Sequence, residues 1–221
     1  MKQILTVIFF TALAICTGAQ PFTTSWPYLY PEFRQGAVYL TGGQKVYRDL
    51  NVHLLKGRLH YLESGIVKEA MSKDIFFAMI GENKFMVVNG DMMRVDAEQS
   101  EGFVANHITG DFESLMVGTG AYGVTANTEA IQQYSSLDIQ NGVNTNHMLL
   151  LQNKSEGREF DLKEEFYIVT GGKVWPAARS KIEKMLPDSA KDDFRHFVKK
   201  NKIKWKDPLK LILLVDFLKD K

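Results

Sequence analysis

The stretch Val52-His53-Leu54-Leu55-Lys56-Gly57-Arg58-Leu59-His60-Tyr61-Leu62-Glu63-Ser64-Gly65-Ile66 decides the fold. Short apolar runs break at Lys56-Gly57 and again at Ser64-Gly65, where glycine supplies the positive φ of a tight hairpin turn. The pattern extends both ways. Gly42-Gly43 separates Val38-Tyr39-Leu40 from Lys45-Val46-Tyr47, and Asn89-Gly90 marks a further hairpin. Turns recur every ~8–12 residues without helices between them, so residues 36–117 read as an antiparallel meander and not as βαβ units. Ile75-Phe76-Phe77-Ala78-Met79-Ile80 does not alternate. Such a strand is expected to be covered on both faces, with a second layer lying against the sheet.

The C-terminal part of the chain offers that layer. Met148-Leu149-Leu150-Leu151 and Phe166-Tyr167-Ile168-Val169 read as two more buried strands, and Gly171-Gly172 turns the second into Lys173-Val174-Trp175. Helices follow. Pro176 suits a first helical position and Pro187 closes that segment, with Ala178, Ile182, Met185 and Leu186 as a modest apolar stripe. Ser189 and Asp192 are spaced like a capping box before Phe194, Phe197 and Val198. Asp207-Pro208 is an N-cap and N1 pair for a last helix with Leu211, Leu214, Val215 and Leu218 on one face. Residues 118–146 are rich in Gly, Ser, Thr, Asn and Gln and read as a long, mobile polar loop. The expected fold is mainly β (α+β), an antiparallel meander sheet covered by short C-terminal helices. Its expected divisions are a leader at 1–19, a β domain at 20–176 and a helical segment at 177–221.

The leader reading rests on Met1-Lys2-Gln3, the apolar run Ile4 to Ile15, and the small residues Thr17-Gly18-Ala19. Positive start, short apolar core and small-residue cleavage site are the parts of a secretory signal, and the run is too short to span a bilayer. Leu13-Ala14-Ile15-Cys16 also resembles a lipobox, although Ile15 is larger than the residue such a site prefers before its cysteine. Cys16 is the only cysteine. Cleavage after Ala19 would therefore leave a chain beginning at Gln20 without thiols, which excludes disulfides, thiol catalysis and thiolate metal sites. Loss of Lys2 leaves 26 basic residues against 26 acidic ones. A neutral chain has no electrostatic reason to seek nucleic acid. The expected location is the periplasm, the cell surface or the medium.

Tyr30-Pro31-Glu32-Phe33-Arg34-Gln35-Gly36, Leu50-Asn51 through Lys56-Gly57, Gly120-Ala121-Tyr122-Gly123 and Phe194 to Ile203 resemble segments of a group of secreted proteins from Bacteroidota-type bacteria. The resemblance covers most of the chain after the leader. It implies export in a Gram-negative cell and a β-rich domain with a helical tail, and it implies no activity.

The sharpest candidate for chemistry is a row of histidines. If Lys56-Gly57 is a two-residue turn, His53 faces His60, and if Ser64-Gly65 is another, His60 faces Glu69. Two imidazoles and a carboxylate then cross three strands on one face, with neighbouring Cβ atoms about 5 Å apart. Such groups bind zinc or iron with open positions, as a metal-dependent hydrolase requires. Val52, Leu54, Leu59, Tyr61 and Ile66 occupy the opposite face, which predicts that the row points to solvent. Leu55 and Leu62 share the histidine face and argue against full exposure.

Other motifs carry less. Gly118-Thr119-Gly120-Ala121-Tyr122-Gly123 matches GxGxxG, but no parallel sheet surrounds it, so no dinucleotide cofactor is expected. No Gly-x-Ser-x-Gly elbow occurs, and paired carboxylates cannot be chosen without geometry. Lys199 to Lys206 reads as a solvated helix end. Trp26-Pro27-Tyr28-Leu29-Tyr30-Pro31 with Phe33 reads as an aromatic strap across the core, since large aromatics are usually buried, or as a surface for sugars or peptides. The functional expectation is an exported, non-enzymatic binding or structural module whose partner is an envelope protein or glycan. The alternative is the metal-dependent hydrolase.

Overall fold

The structure is a computed structural model that describes residues 23–24, 26–55, 57–110, 145–146, 148, 151 and 160–221. The described residues form a twelve-stranded antiparallel sheet, followed by four short helices. The expected leader at 1–19 and the greater part of the polar segment 118–146 lie outside them. At that segment's end, Thr145–Asn146 is a two-residue strand rather than loop.

The first half of the sheet is a meander: β2 (Arg34–Leu40), β3 (Lys45–His53), β4 (Arg58–Glu63) and β5 (Ile66–Glu69) pair in order. A 3-10 turn at Ser72–Asp74 carries the chain back, and β6 (Ile75–Ile80) pairs with the free edge of β2. A second meander of β7 (Asn83–Val88), β8 (Asp91–Gln99) and β9 (Gly102–Gly110) grows outward from β6. Beyond β9 comes β11 (Phe160–Thr170), which also pairs with β1 (Thr23–Thr24) and β12 (Lys173–Pro176). The strand Thr145–Asn146 is β10, added to β5 at the opposite edge. Three turns take the form read from sequence. Ser64-Gly65 (φ 52° and 76°) and Asn89-Gly90 (φ 54° and 93°) each place two successive residues at positive φ, as a type I′ hairpin requires, and Gly171-Gly172 does the same.

The sheet curls so that the β3–β4 loop reaches the far meander. Met92 N donates to Gly57 O at 2.6 Å, Arg58 Nη1 donates to Gly90 O at 2.6 Å, and Gly110 N donates to Leu54 O at 3.2 Å. Val38, Leu50, Val52, Leu59, Ala78, Ile80, Phe85 and Met92 fill the concave side of this curl. The strand Ile75–Ile80 is not covered on both faces: Phe76 is 58 % exposed, and Phe77 and Met79 are half-buried. Its apolar outer face stays at the surface because the helices cover a different region.

Those helices are α1 (Arg179–Met185), α2 (Asp188–Lys200), α3 (Pro208–Leu211) and α4 (Leu213–Leu218). Ile182, Phe194, Val198, Leu211, Leu214, Val215 and Leu218 bury against Val104, Ile168 and Trp175 of β9, β11 and β12. Asp207 caps as expected, its carboxylate accepting from Leu209 N at 3.1 Å. Other boundaries shift. Pro176 ends β12, and Pro187 caps α2, so Ser189 falls inside that helix. Met148 and Leu151 are helical where a buried strand was expected, and Met148 is exposed. Among the described residues no helix is long and apolar enough to cross a membrane.

Candidate functional site

The histidine row lies on one face of β3, β4 and β5, as the alternation requires, but its register and its environment differ from expectation. His53 opposes Arg58, and His60 opposes Asn51. The β3–β4 connection is four residues long because Leu54 leaves the strand: its amide donates to Pro27 O at 2.9 Å, and its side chain packs with Ile108. The pairing is displaced by two residues, and an even displacement keeps every side chain on its face. His53 and His60 are therefore diagonal neighbours whose rings stack at 5.1 Å and 25°. The expected pairing of His60 with Glu69 is present, with His60 Nε2 3.5 Å from Glu69 Oε2.

The row does not face solvent. His53 and His60 are each 2 % exposed, and Asn51 is fully buried. The cover is the aromatic strap. Residues 26–30 run alongside the end of β3, with Leu29 N donating to Val52 O at 2.9 Å and Tyr28 bridging to His53. Trp26 and Tyr28 bury against Val67 with Phe33 and Leu62, a second small core on the outer side of the same strands. The ring of Tyr28 meets His53 at 5.2 Å and His60 at 5.5 Å, both edge-on. Its hydroxyl lies 2.9 Å from His60 Nδ1. Burial pushes that hydroxyl's pKa well above its ordinary value, and the nearby charge of Glu69 pushes it further. Asn51 completes the clamp: its Oδ1 accepts from Tyr30 N at 3.0 Å, and its Nδ2 donates to Tyr30 O at 2.8 Å and Glu32 O at 3.1 Å.

This geometry bears on the metal reading. His60 has Tyr28 at one ring nitrogen and Glu69 at the other, and its stacked partner lies beside it rather than across from it. Among the described residues no group of three His, Cys, Asp or Glu side chains is placed to hold a metal ion. His107 stands apart, 3.7 Å from Asp91, and His196 is exposed on α2.

A second polar network was not read from the sequence. Arg94 Nε donates to Asp96 Oδ1 at 2.5 Å, and the buried Asn106 donates to Asp96 Oδ2 at 3.0 Å and to Glu164 Oε1 at 3.2 Å. It ties β8, β9 and β11 together. Nothing in local spacing marks it, since 58 residues separate Asn106 from Glu164.

The outer face of β3, β2, β6 and β7 differs in kind. Lys45 Nζ sits 4.8 Å from the Tyr39 ring and 4.7 Å from the Tyr47 ring. Tyr39 stacks on Phe77 at 4.1 Å and 16°, Phe77 meets Phe76 at 5.6 Å, and Lys84 Nζ lies 5.5 Å above Phe77. The ammonium of Lys45 is held up in pKa by Tyr39 first and Tyr47 second. Tyr47 is 66 % exposed. Beside this ladder runs a trough of about 650 Å³, with Gln35, Ala37, Asp49 and Met79 among its lining residues. Cross-strand pairing placed these residues together; the sequence shows them only as scattered aromatics. No protein-family model, curated protein or solved structure matches the chain.

Proposed function

We propose that this chain is an exported, non-enzymatic binding or structural module of the bacterial periplasm or cell surface, working through the outer face of β2, β3 and β6. The observation that carries the proposal is a division of labour between the two polar regions of that sheet. Asn51, His53 and His60, the residues best suited to chemistry, lie under the strap and bond to it or stack against it. The aromatic and lysine side chains that remain accessible border an open trough. Rigid aromatic side chains are favoured contact residues because they offer large area at low entropy cost. The leader at 1–19 and the likeness to secreted Bacteroidota-type proteins support export.

Affinity capture from the organism's own envelope fraction tests the reading. A stoichiometric ligand lost on Tyr47→Ala supports it; turnover of a defined substrate abolished by a point mutation overturns it. The rival hydrolase, with zinc or iron at His53, His60 and Glu69, is favoured by the 3.5 Å approach of His60 to Glu69. It requires stoichiometric metal in the purified protein, and loss of that metal on His60→Ala. Intact mass separates a chain beginning at Gln20 from one lipidated at Cys16.

A further inference from the structure

We infer that the trough beside Tyr39 and Tyr47 is a subsite for a neutral oligosaccharide. This rests on the binding-module reading and names its ligand class.

A pyranose ring is amphipathic: its C–H face is apolar, and its rim is a ring of hydroxyl groups. It calls for a flat apolar wall flanked by planar hydrogen-bonding groups, in a site open enough to leave part of its hydration in place. The trough has that make-up. Ala37 lies between Tyr47 on β3 and Met79 on β6, its direct register partners, so a small side chain separates two large ones. Tyr39 is stacked on Phe77, and Lys45 lies over both phenol rings, which favours this arrangement of the two rings before any ligand arrives. At one end Gln35 and Asp49 are also direct register partners, and both are exposed. A side-chain amide next to a carboxylate can donate to and accept from adjacent hydroxyls on one sugar rim.

Other ligand classes fit less well. A small apolar ligand needs an enclosed pocket, which this open trough is not. An extended peptide would add to a free strand edge, yet β2, β3 and β6 are paired on both sides. An anionic polymer needs uncommitted cations. Lys45 is engaged by the two tyrosines, Arg48 by Tyr47 O and Glu63, and Lys84 by Glu98. Asp49 adds a negative charge at the rim. The occupant is therefore uncharged, and wide enough to span more than one strand.

The test titrates the purified exported protein with hexa-N-acetylchitohexaose, cellohexaose, maltohexaose and mannohexaose, using polygalacturonate as the charged control. The expected result is saturable binding of at least one neutral hexasaccharide. Tyr47→Ala and Gln35→Ala should each weaken it about tenfold or more, the loss of one good contact, with little change in melting temperature. Both positions are exposed, so folding should survive the substitutions. The inference is overturned if no neutral hexasaccharide binds at millimolar concentration, if binding survives Tyr47→Ala, or if polygalacturonate binds more tightly. An envelope protein captured through Tyr47 while every hexasaccharide stays silent would overturn the glycan and leave the module reading standing. Catalytic turnover would overturn the module reading instead.

Discussion

At Asn51 one side-chain amide serves where the strand ladder is interrupted. Between the strap and β2 the chain bends at residues 31 and 32, and the backbone groups of Tyr30 and Glu32 meet the Asn51 side chain instead of a strand ladder. Asn51 accepts from one of these groups and donates to two. Removing it takes that partner from Tyr30 N and Glu32 O, while Tyr30 O keeps the Trp26 indole N–H at 2.8 Å, at a cost of ~1–3 kcal/mol for each group that water cannot reach. Asn51→Ala should therefore lower stability by about 2–4 kcal/mol and loosen residues 26–33. Chemical denaturation and proteolysis near Trp26 will check it. Tyr28 gives a pH test. Its folded pKa is raised, so the folded state holds that proton more tightly than the unfolded chain. The associated stability is present below the ordinary tyrosine value of about 10 and is lost as pH rises above it. Tyr28→Phe should be less stable than wild type at pH 8, where the bond to His60 is missing, yet lose less stability between pH 8 and 11. Burial raises Tyr30 as well, and pushes Tyr167 up to about 12, so some alkaline loss will remain. Parallel alkaline profiles for the two proteins would contradict this.

Among elements, β2 lies at the centre of the sheet, joining the first meander to the strand that starts the second. Gly36 is closely packed within β2: a Cβ there would meet the Met79 carbonyl oxygen and lie 2.6 Å from Leu50 Cδ1. Gly36→Ala should cost about 1–3 kcal/mol through overpacking, read as a lower denaturation midpoint. Element pairing was largely legible in the sequence, because Ser64-Gly65, Asn89-Gly90 and Gly171-Gly172 name their own turn type. Lys56-Gly57 misled the register for a physical reason. Leu54 gains more by bonding to Pro27 and packing on Ile108 than by continuing β3, and those partners lie 27 and 54 positions away in the chain. The burial of His53 and His60 was hidden for a related reason. Alternation reports which face a residue occupies and says nothing of what covers it. The strap and the histidine face were each readable, but their meeting was a tertiary fact.

For the whole molecule, two packed regions meet at β8: Met92 joins the concave core under β2–β7, and Ala97 packs against the core between β9, β11, β12 and the helices. Because the sheet is continuous across both, damage to one should be felt in the other. Leu214→Ala, in a fully buried site, should cost about 2–5 kcal/mol and lower one cooperative transition rather than release the helices alone. Two separated melting steps would contradict this. The outer aromatic ladder lies away from both cores, which is why a change there can alter binding without altering the fold. The most direct test compares Tyr47→Ala with His60→Gln for retention of the ligand that the proposed affinity capture recovers with the wild-type protein. Tyr47→Ala is expected to lose the ligand at unchanged stability, while His60→Gln, less stable but assayed below its melting point, is expected to keep it. Loss with His60→Gln and retention with Tyr47→Ala would place the working site at the histidines and contradict the account.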